Sequence, residues 1–237
     1  MNYTNYTPES SSDYSQHRQE ITSTDGEAFE ALDRIGGVQD KSVLDFGCGD
    51  GHYSREFVKQ GAKQVVGIDP DETFIELARQ ASTMFSDGEP EDNERLSFVR
   101  GDGNALPFKD GSFDIVFSNF VLHHFKDTLP AFQESRRVLR DGGRVVSIFN
   151  IYQIDKEYED FLLGTEVPVL LGKDKKISVR PLIQSKERIV EDIKQAGFTN
   201  FEWKEIENPD ATIDPEYQYY DKVKKICVVL VAEKTAE

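Results

Sequence analysis

The nine residues Val43-Leu44-Asp45-Phe46-Gly47-Cys48-Gly49-Asp50-Gly51 limit what this 237-residue chain can fold into more than any other segment. A short β-prone run empties into a G-x-G-x-G turn, and a helix-like stretch, 52–60, follows it. A strand that ends in glycine lets backbone N–H groups approach a ligand where any Cβ would collide. Eighteen residues past Gly51, Asp69 closes a second apolar strand, Gln64-Val65-Val66-Gly67-Ile68. An acid at that place suits two ribose hydroxyls. Together the two features describe a site for an adenosine-bearing cofactor.

The spacing narrows the choice of cofactor. Dinucleotide folds usually carry G-x-G-x-x-G, which leaves a helix N-terminus facing a pyrophosphate. Here the turn is G-x-G-x-G, with Asp45 before it and Asp50 inside it. Two carboxylates repel a pyrophosphate, but not a sulfonium that carries an α-amino group.

On these residues the chain resembles the class I S-adenosylmethionine (SAM)-dependent methyltransferases, of the small-domain group known as methyltransferase type 11. The resemblance covers roughly residues 40–150 and rests on four motifs in order. They are the VLDFGCGDG turn, the VVGIDPD acid, the segment Gly101-Asp102-Gly103-Asn104-Ala105-Leu106-Pro107-Phe108, and Phe113-Asp114-Ile115-Val116-Phe117-Ser118-Asn119. Gly103 departs from the pattern, since such proteins more often carry a small residue with a side chain there.

The rest of the chain is read by its periodicity. Phe29, Leu32 and Ile35 fall at helical spacing and stop at Gly36-Gly37. Strand 43–46, helix 52–60, strand 64–68 and helix 71–83 alternate, with Phe74, Leu77, Ala78 and Ala81 as the buried stripe of the second helix. Strands at 96–100 and 113–118, a helix around 128–140 and a strand at 144–149 follow. Ser185 caps a further helix stopped by Gly197, and strands 201–206 and 226–232 come last. The alternation predicts an α/β fold, a Rossmann-like seven-stranded, mostly parallel sheet with helices on both faces. A closing antiparallel strand fits the resemblance. Residues 1–24 lack hydrophobic periodicity and read as a flexible segment, so 25–237 is expected to be one domain. Within it, 150–184 breaks the rhythm and reads as a substrate-lid insertion.

The resemblance implies a cofactor set of Asp45, Gly47, Cys48, Gly49, Asp69, Pro70, Asp102, Gly103 and Asn119. Each acid has a plainer alternative. Asp45 either bonds neighbouring backbone or holds the cofactor's amino group. Asp69 either caps a helix before Pro70 or clamps the ribose. Asp102 either makes an Asx-turn or approaches the adenine amino group. Asn119 either ends a strand or faces the methionine part. Phe46 and Cys48 read as packing, and Cys48 has no evident basic partner to make it a nucleophile. His123 and His124 follow strand 113–118; one of them facing the crevice would serve as general base, and a structural role is the alternative. The scattered acids and the two histidines do not make a metal set. Tyr3, Tyr6, Tyr14, Tyr152 and Tyr158 are candidates for a lid that excludes water.

Composition bounds the partners. A net charge of −16 opposes a polyanion, so no nucleic acid is expected and the acceptor is read as a small molecule. A basic stretch, 173–188, is read as a solvated face, with a carboxylate- or phosphate-bearing substrate as the alternative. No apolar run reaches the ~20 residues of a membrane span. The start, MNYTNYTPESSSDYSQ, is no signal peptide, which points to the cytoplasm and to two free thiols there. A monomer or homodimer is expected. The implied reaction moves the sulfonium methyl to N, O, C or S by in-line displacement. A SAM-binding sensor without transferase activity is the alternative, followed by a nicotinamide-dependent oxidoreductase.

Overall fold

The computed structural model describes residues 25–85, 94–154, 167–171, 175–179, 185–206, 211–213 and 223–236. The segment 1–24, with Tyr3, Tyr6 and Tyr14, lies outside the described residues, as do Tyr158 and most of the insertion.

Strand β1 (Ser42–Phe46) is buried along its whole length, as befits a central parallel strand covered on both faces. It pairs in parallel with β2 (Gln64–Asp69) on one side and β4 (Phe113–Asn119) on the other. Strand β3 (Leu96–Arg100) extends the sheet beyond β2, and β5 (Leu139–Ile154) extends it beyond β4. The last strand, β10 (Val223–Glu233), runs antiparallel between β5 and β8 (Asn200–Ile206), giving the order β3-β2-β1-β4-β5-β10-β8. The seven strands and the reversed last one match the sequence expectation. The chain winds outward from β1 to β3 and then crosses to β4, so the strand order switches between β1 and β4. A crevice at the carboxyl ends of those two strands is the usual ligand position of such sheets.

Period-two alternation divides the core. Leu44, Val116 and Phe149 face one side, where α4 (Leu129–Val138) and α5 (Lys186–Gln195) bring Phe132, Ile189 and Ile193. Val43, Phe117 and Ile148 face the other, under α1 (Asp25–Arg34) and α2 (His52–Lys59), which contribute Leu32 and Phe57. Helix α3 (Glu72–Phe85) packs Ile75 and Ala78 on Phe98. Ser185 does cap α5, its hydroxyl accepting from the Arg188 N–H.

Two features differ from the sequence reading. Strand β5 runs on past Phe149 to Ile154, because β10 pairs with it through Val223 opposite Ile154. And residues 167–171 (β6) and 175–179 (β7) form antiparallel strands that join 211–213 (β9) in a separate three-stranded sheet. That sheet unites segments far apart in sequence, which local periodicity does not register. Of the basic stretch, Lys186 pairs with Glu205 at 3.2 Å and Arg188 with Asp127 at 3.8 Å, so these two charges are occupied.

The loop between β3 and β4 is latched by one arginine. Arg137 of α4 makes a two-pronged contact with Glu134 at 2.7 and 2.8 Å and reaches Asp110 at 2.8 Å. Its guanidinium also donates to the carbonyls of Phe108 and Leu106, and Glu134 accepts from the Leu106 N–H at 2.6 Å. Hydrogen bonding from Arg137 holds the Glu134 carboxyl below the ordinary carboxylate range. Arg137→Ala is expected to cost about 2–3 kcal/mol in urea denaturation and to speed amide exchange across 101–112, because two carbonyls and a half-buried acid lose their partner. Stability within 0.5 kcal/mol of the parent would mean the latch is dispensable.

Candidate functional site

At the switch point the glycine turn is forced by close packing. Gly47 has φ 74°, and a Cβ there would lie 2.3 Å from the Val121 side chain. Its N–H and that of Cys48 both donate to the Ile68 carbonyl, at 2.8 and 3.0 Å, tying the end of β1 to the end of β2. Gly49 has φ 53°, and a Cβ there would meet nothing within 4 Å, so it borders open space.

That space is a cavity of about 820 Å³, within the size range of small-ligand sites. Its wall includes Gly47 and Gly49 from the turn, Asp69 and Pro70 from the end of β2, Asp102 and Gly103 from the loop after β3, and Asn119 from the end of β4. His124 also reaches it. Eight of the residues singled out in the sequence therefore meet at one place.

Asp69 is 8% exposed and both its oxygens are engaged. One accepts from the Gly49 N–H at 3.1 Å, the other from the Asp71 N–H at 2.9 Å. An ionised carboxylate offers about four acceptor positions, so two remain for a ligand. Burial pushes its pKa up to about 6, partly opposed by those two N–H groups. Asp102 is exposed and accepts from the Asn104 N–H at 2.8 Å, so it makes the Asx-turn while still lining the cavity. At Gly103 a Cβ would fall 2.3 Å from the Phe46 ring and 3.0 Å from that of Phe125. Those two rings fill the place where a side chain would otherwise stand, which accounts for the glycine.

Three expected site residues are not on the wall. Asp45 lies 2% exposed on the α2 side of the sheet and accepts from the Ser54 hydroxyl at 2.5 Å. Strand alternation turns it away from the cavity that its neighbour Phe46 lines. Burial pushes its carboxyl up to about 7, and Asp69 and Asp50 add repulsion against the Ser54 bond. Cys48 is buried against Ile75, Ala78 and Phe98. Burial and the nearby Asp45, Asp69 and Asp50 hold its thiol well above the usual range, so it is packing and no nucleophile. His123 does not line the cavity; its ring lies 4.2 Å from that of His124. Burial lowers His124 to about 4, which keeps it neutral at pH 7 and makes it a poor base. Among the described residues no group of three or more His, Cys, Asp or Glu is placed to hold a metal ion. No helix among them is long and apolar enough to cross a membrane. The Tyr152 and Tyr158 side chains and Tyr14 lie outside the described residues.

The wall also holds residues that the motifs did not flag. Thr73 and Phe74 come from the first turn of α3, and their position follows from topology once Asp69 is placed. Phe120 has φ 56°, an uncommon conformation for a bulky residue, and its N–H donates to the Ile148 carbonyl. No sequence signal marks it.

Residues 44–147 match the family described as "Methyltransferase domain". The demethylmenaquinone methyltransferase of Lactococcus lactis is 32% identical over 142 residues, 58% of this chain and 54% of that protein. The tRNA U34 carboxymethyltransferase of Actinobacillus succinogenes is 32% identical over 171 residues, 71% of this chain and 48% of that protein. The chain thus spans about half the length of these curated relatives. Among solved structures, a Haemonchus contortus phosphoethanolamine N-methyltransferase 2 in complex with S-adenosyl-L-methionine superposes with a TM-score of 0.69 at 19% identity. That likeness covers 98% of this chain and 58% of the other, and it speaks for the fold.

The buried Asp45 supplies a pH test. Folded, it keeps its proton up to about pH 7, whereas a free carboxyl releases it near 3.8. The folded state binds more protons between those values, so this contribution to stability is complete below about 3.8 and lost as pH rises through 7. Asp45→Asn, which keeps an acceptor for Ser54, should be more stable than the parent at pH 8 by on the order of 3 kcal/mol. The advantage should vanish near pH 4. Parallel stability–pH curves for the two proteins would contradict the burial of an ionisable carboxyl here.

Proposed function

With residues 44–147 a class I SAM-dependent methyltransferase domain, we propose that the chain binds SAM in the β1–β4 cavity and passes its methyl group to a small-molecule acceptor. The observation that carries this reading is Asp69, a buried carboxylate held by the glycine turn at the cavity wall with acceptor capacity to spare. In this reading it clamps the ribose hydroxyls. Gly47 and Gly49 give the ligand access to backbone, and Asp102, beside the glycine that makes room for Phe46, faces the adenine end. Asn119 faces the amino-acid end.

Bound there, SAM supplies an electrophilic methyl: an acceptor lone pair forms the new bond while the C–S electrons return to sulfur as a neutral thioether. The chain's task is to align acceptor and donor and to exclude water, and alignment alone is worth roughly 7–11 kcal/mol. No protein base is essential to that step, which agrees with a neutral His124. The negative field of Asp50 and Asp69 favours a cationic sulfur over a pyrophosphate and argues against a nicotinamide cofactor. A small-molecule acceptor is supported by the net charge of −16 and by the ion pairs that occupy Lys186 and Arg188. The tRNA-modifying relative makes an RNA acceptor the second reading. A lid formed by the 150–184 insertion belongs to the same proposal.

Thermal shift with SAM, S-adenosylhomocysteine, NAD and NADP tests the cofactor, since only a true ligand stabilises in proportion to its concentration over Kd. Asp69→Ala should weaken SAM binding by about 1–3 kcal/mol through lost charge-assisted bonds. Affinity of the parent should also fall as pH drops through about 6, where Asp69 takes up its proton. Stabilisation by NAD and not by SAM would overturn the reading.

A further inference from the structure

The wall of the cavity divides by strand order. Its charged side chains, Asp69, Asp71, Glu72, Arg100 and Asp102, come from the ends of β2 and β3 and the chain just beyond them. Past β1, on the β4 side, the wall among the described residues is Asn119, Phe120, Val121, His124 and Phe125. Burial keeps the His124 imidazole neutral, with its pKa down at about 4, so this end of the cavity carries no charge at pH 7.

Packing fixes the apolar surface there. The two γ-methyls of Val121 stand 2.3 and 2.7 Å from where a Cβ on Gly47 would be, so its side chain presses on the glycine turn. The tip of the Phe125 ring closes on Gly103, and the ring lies 5.8 Å from that of Phe46. Phe120 has φ 56°, a region that suits glycine, and its N–H donates to the Ile148 carbonyl at 2.6 Å. A bulky residue holds such a conformation only where its surroundings impose it. Strands β5 and β10 run on past the level of Asn119, which pairs with Ile148. In that extension Ile151 and Ile226 are register partners, both buried in the cluster that includes Phe125.

We propose that the acceptor is an apolar molecule without a formal charge, received against Phe120, Val121 and Phe125, and that the cavity rejects acceptors bearing a carboxylate, a phosphate or an ammonium group. This rests on the cofactor reading above, which sets the ribose at Asp69 and so directs the methyl group across β1 toward β4. A charge brought to that end loses its hydration, and no counter-ion among the described residues there replaces it. An ammonium also lacks a lone pair to attack with until it sheds a proton, and the neutral His124 is too weak a base to take it. A neutral oxygen or carbon nucleophile meets neither obstacle.

The test keeps one ring system and changes only its charge. The full chain, saturated with S-adenosylhomocysteine, is titrated calorimetrically at pH 7 with 2-naphthol, 2-naphthoate and 2-naphthylmethylammonium. The naphthol should bind at least about tenfold more tightly than either ion. Phe120→Gly, which suits the backbone and removes the ring, should weaken naphthol binding by about 3–10-fold. Val121→Ser should act in the same direction, so the location is decided even if one variant fails to fold. Either ion binding as tightly as the naphthol, no uptake of the naphthol, or a naphthol affinity that neither variant moves would overturn the proposal. If the parent does not take up S-adenosylhomocysteine, the cofactor reading itself fails and this inference falls with it.

Discussion

A carboxylate at the end of β2 accepts from the backbone of both the glycine turn and the chain entering α3, and the cavity takes its shape from that bridge. Asp69 joins Gly49 to Asp71, while the Ile68 carbonyl joins Gly47 and Cys48 to the same strand end. The turn has φ values of 74°, 53° and 76° at its three glycines, a conformation that favours glycine and that these bonds hold in place. Because Val121 presses on the site of a missing Cβ at Gly47, the wall from β4 is referenced to the same turn.

The acids around this turn work against the stability of the empty protein. Asp45 and Asp69 are both pushed upward by burial, and Asp50 adds to the repulsion on Asp45. Of these acids Asp69 lines the cavity, so a ligand that donates to it there offsets part of the cost of its burial. Second contacts hold the wall from behind. Arg137 and Glu134 tie down the loop after β3, and Tyr53 and Asp25 tie down Asn119. Site geometry in this protein is thus set largely by groups that do not touch the cavity.

Much of the fold was legible in the residues. Strands at 43–46, 64–68, 113–118 and 226–232 stand where the apolar runs placed them, since strands covered on both faces demand such runs, and 96–100 and 201–206 are the half-exposed edges of the sheet. The pocket was legible wherever one strand end meets one motif: Gly47, Gly49, Asp69, Pro70, Asp102, Gly103 and Asn119. Asp45 and Cys48 do not line the cavity, because a motif names positions without saying which face of the strand each side chain takes. Period-two alternation sends Asp45 to Ser54 and leaves Phe46 on the wall.

Local sequence fixes the succession of strands and helices, the glycine turn and the acid that ends β2, since each depends on neighbours a few residues away. Long-range packing is what makes Phe46 and Phe125 fill the space at Gly103, bends Phe120 into the left-handed region, and joins residues 211–213 to β6. It alone brought Asp25 to Tyr53 and Tyr53 to Asn119, across 28 and 66 residues of chain. Periodicity records which face of an element is buried, and it carries no record of which distant atoms that burial brings into contact.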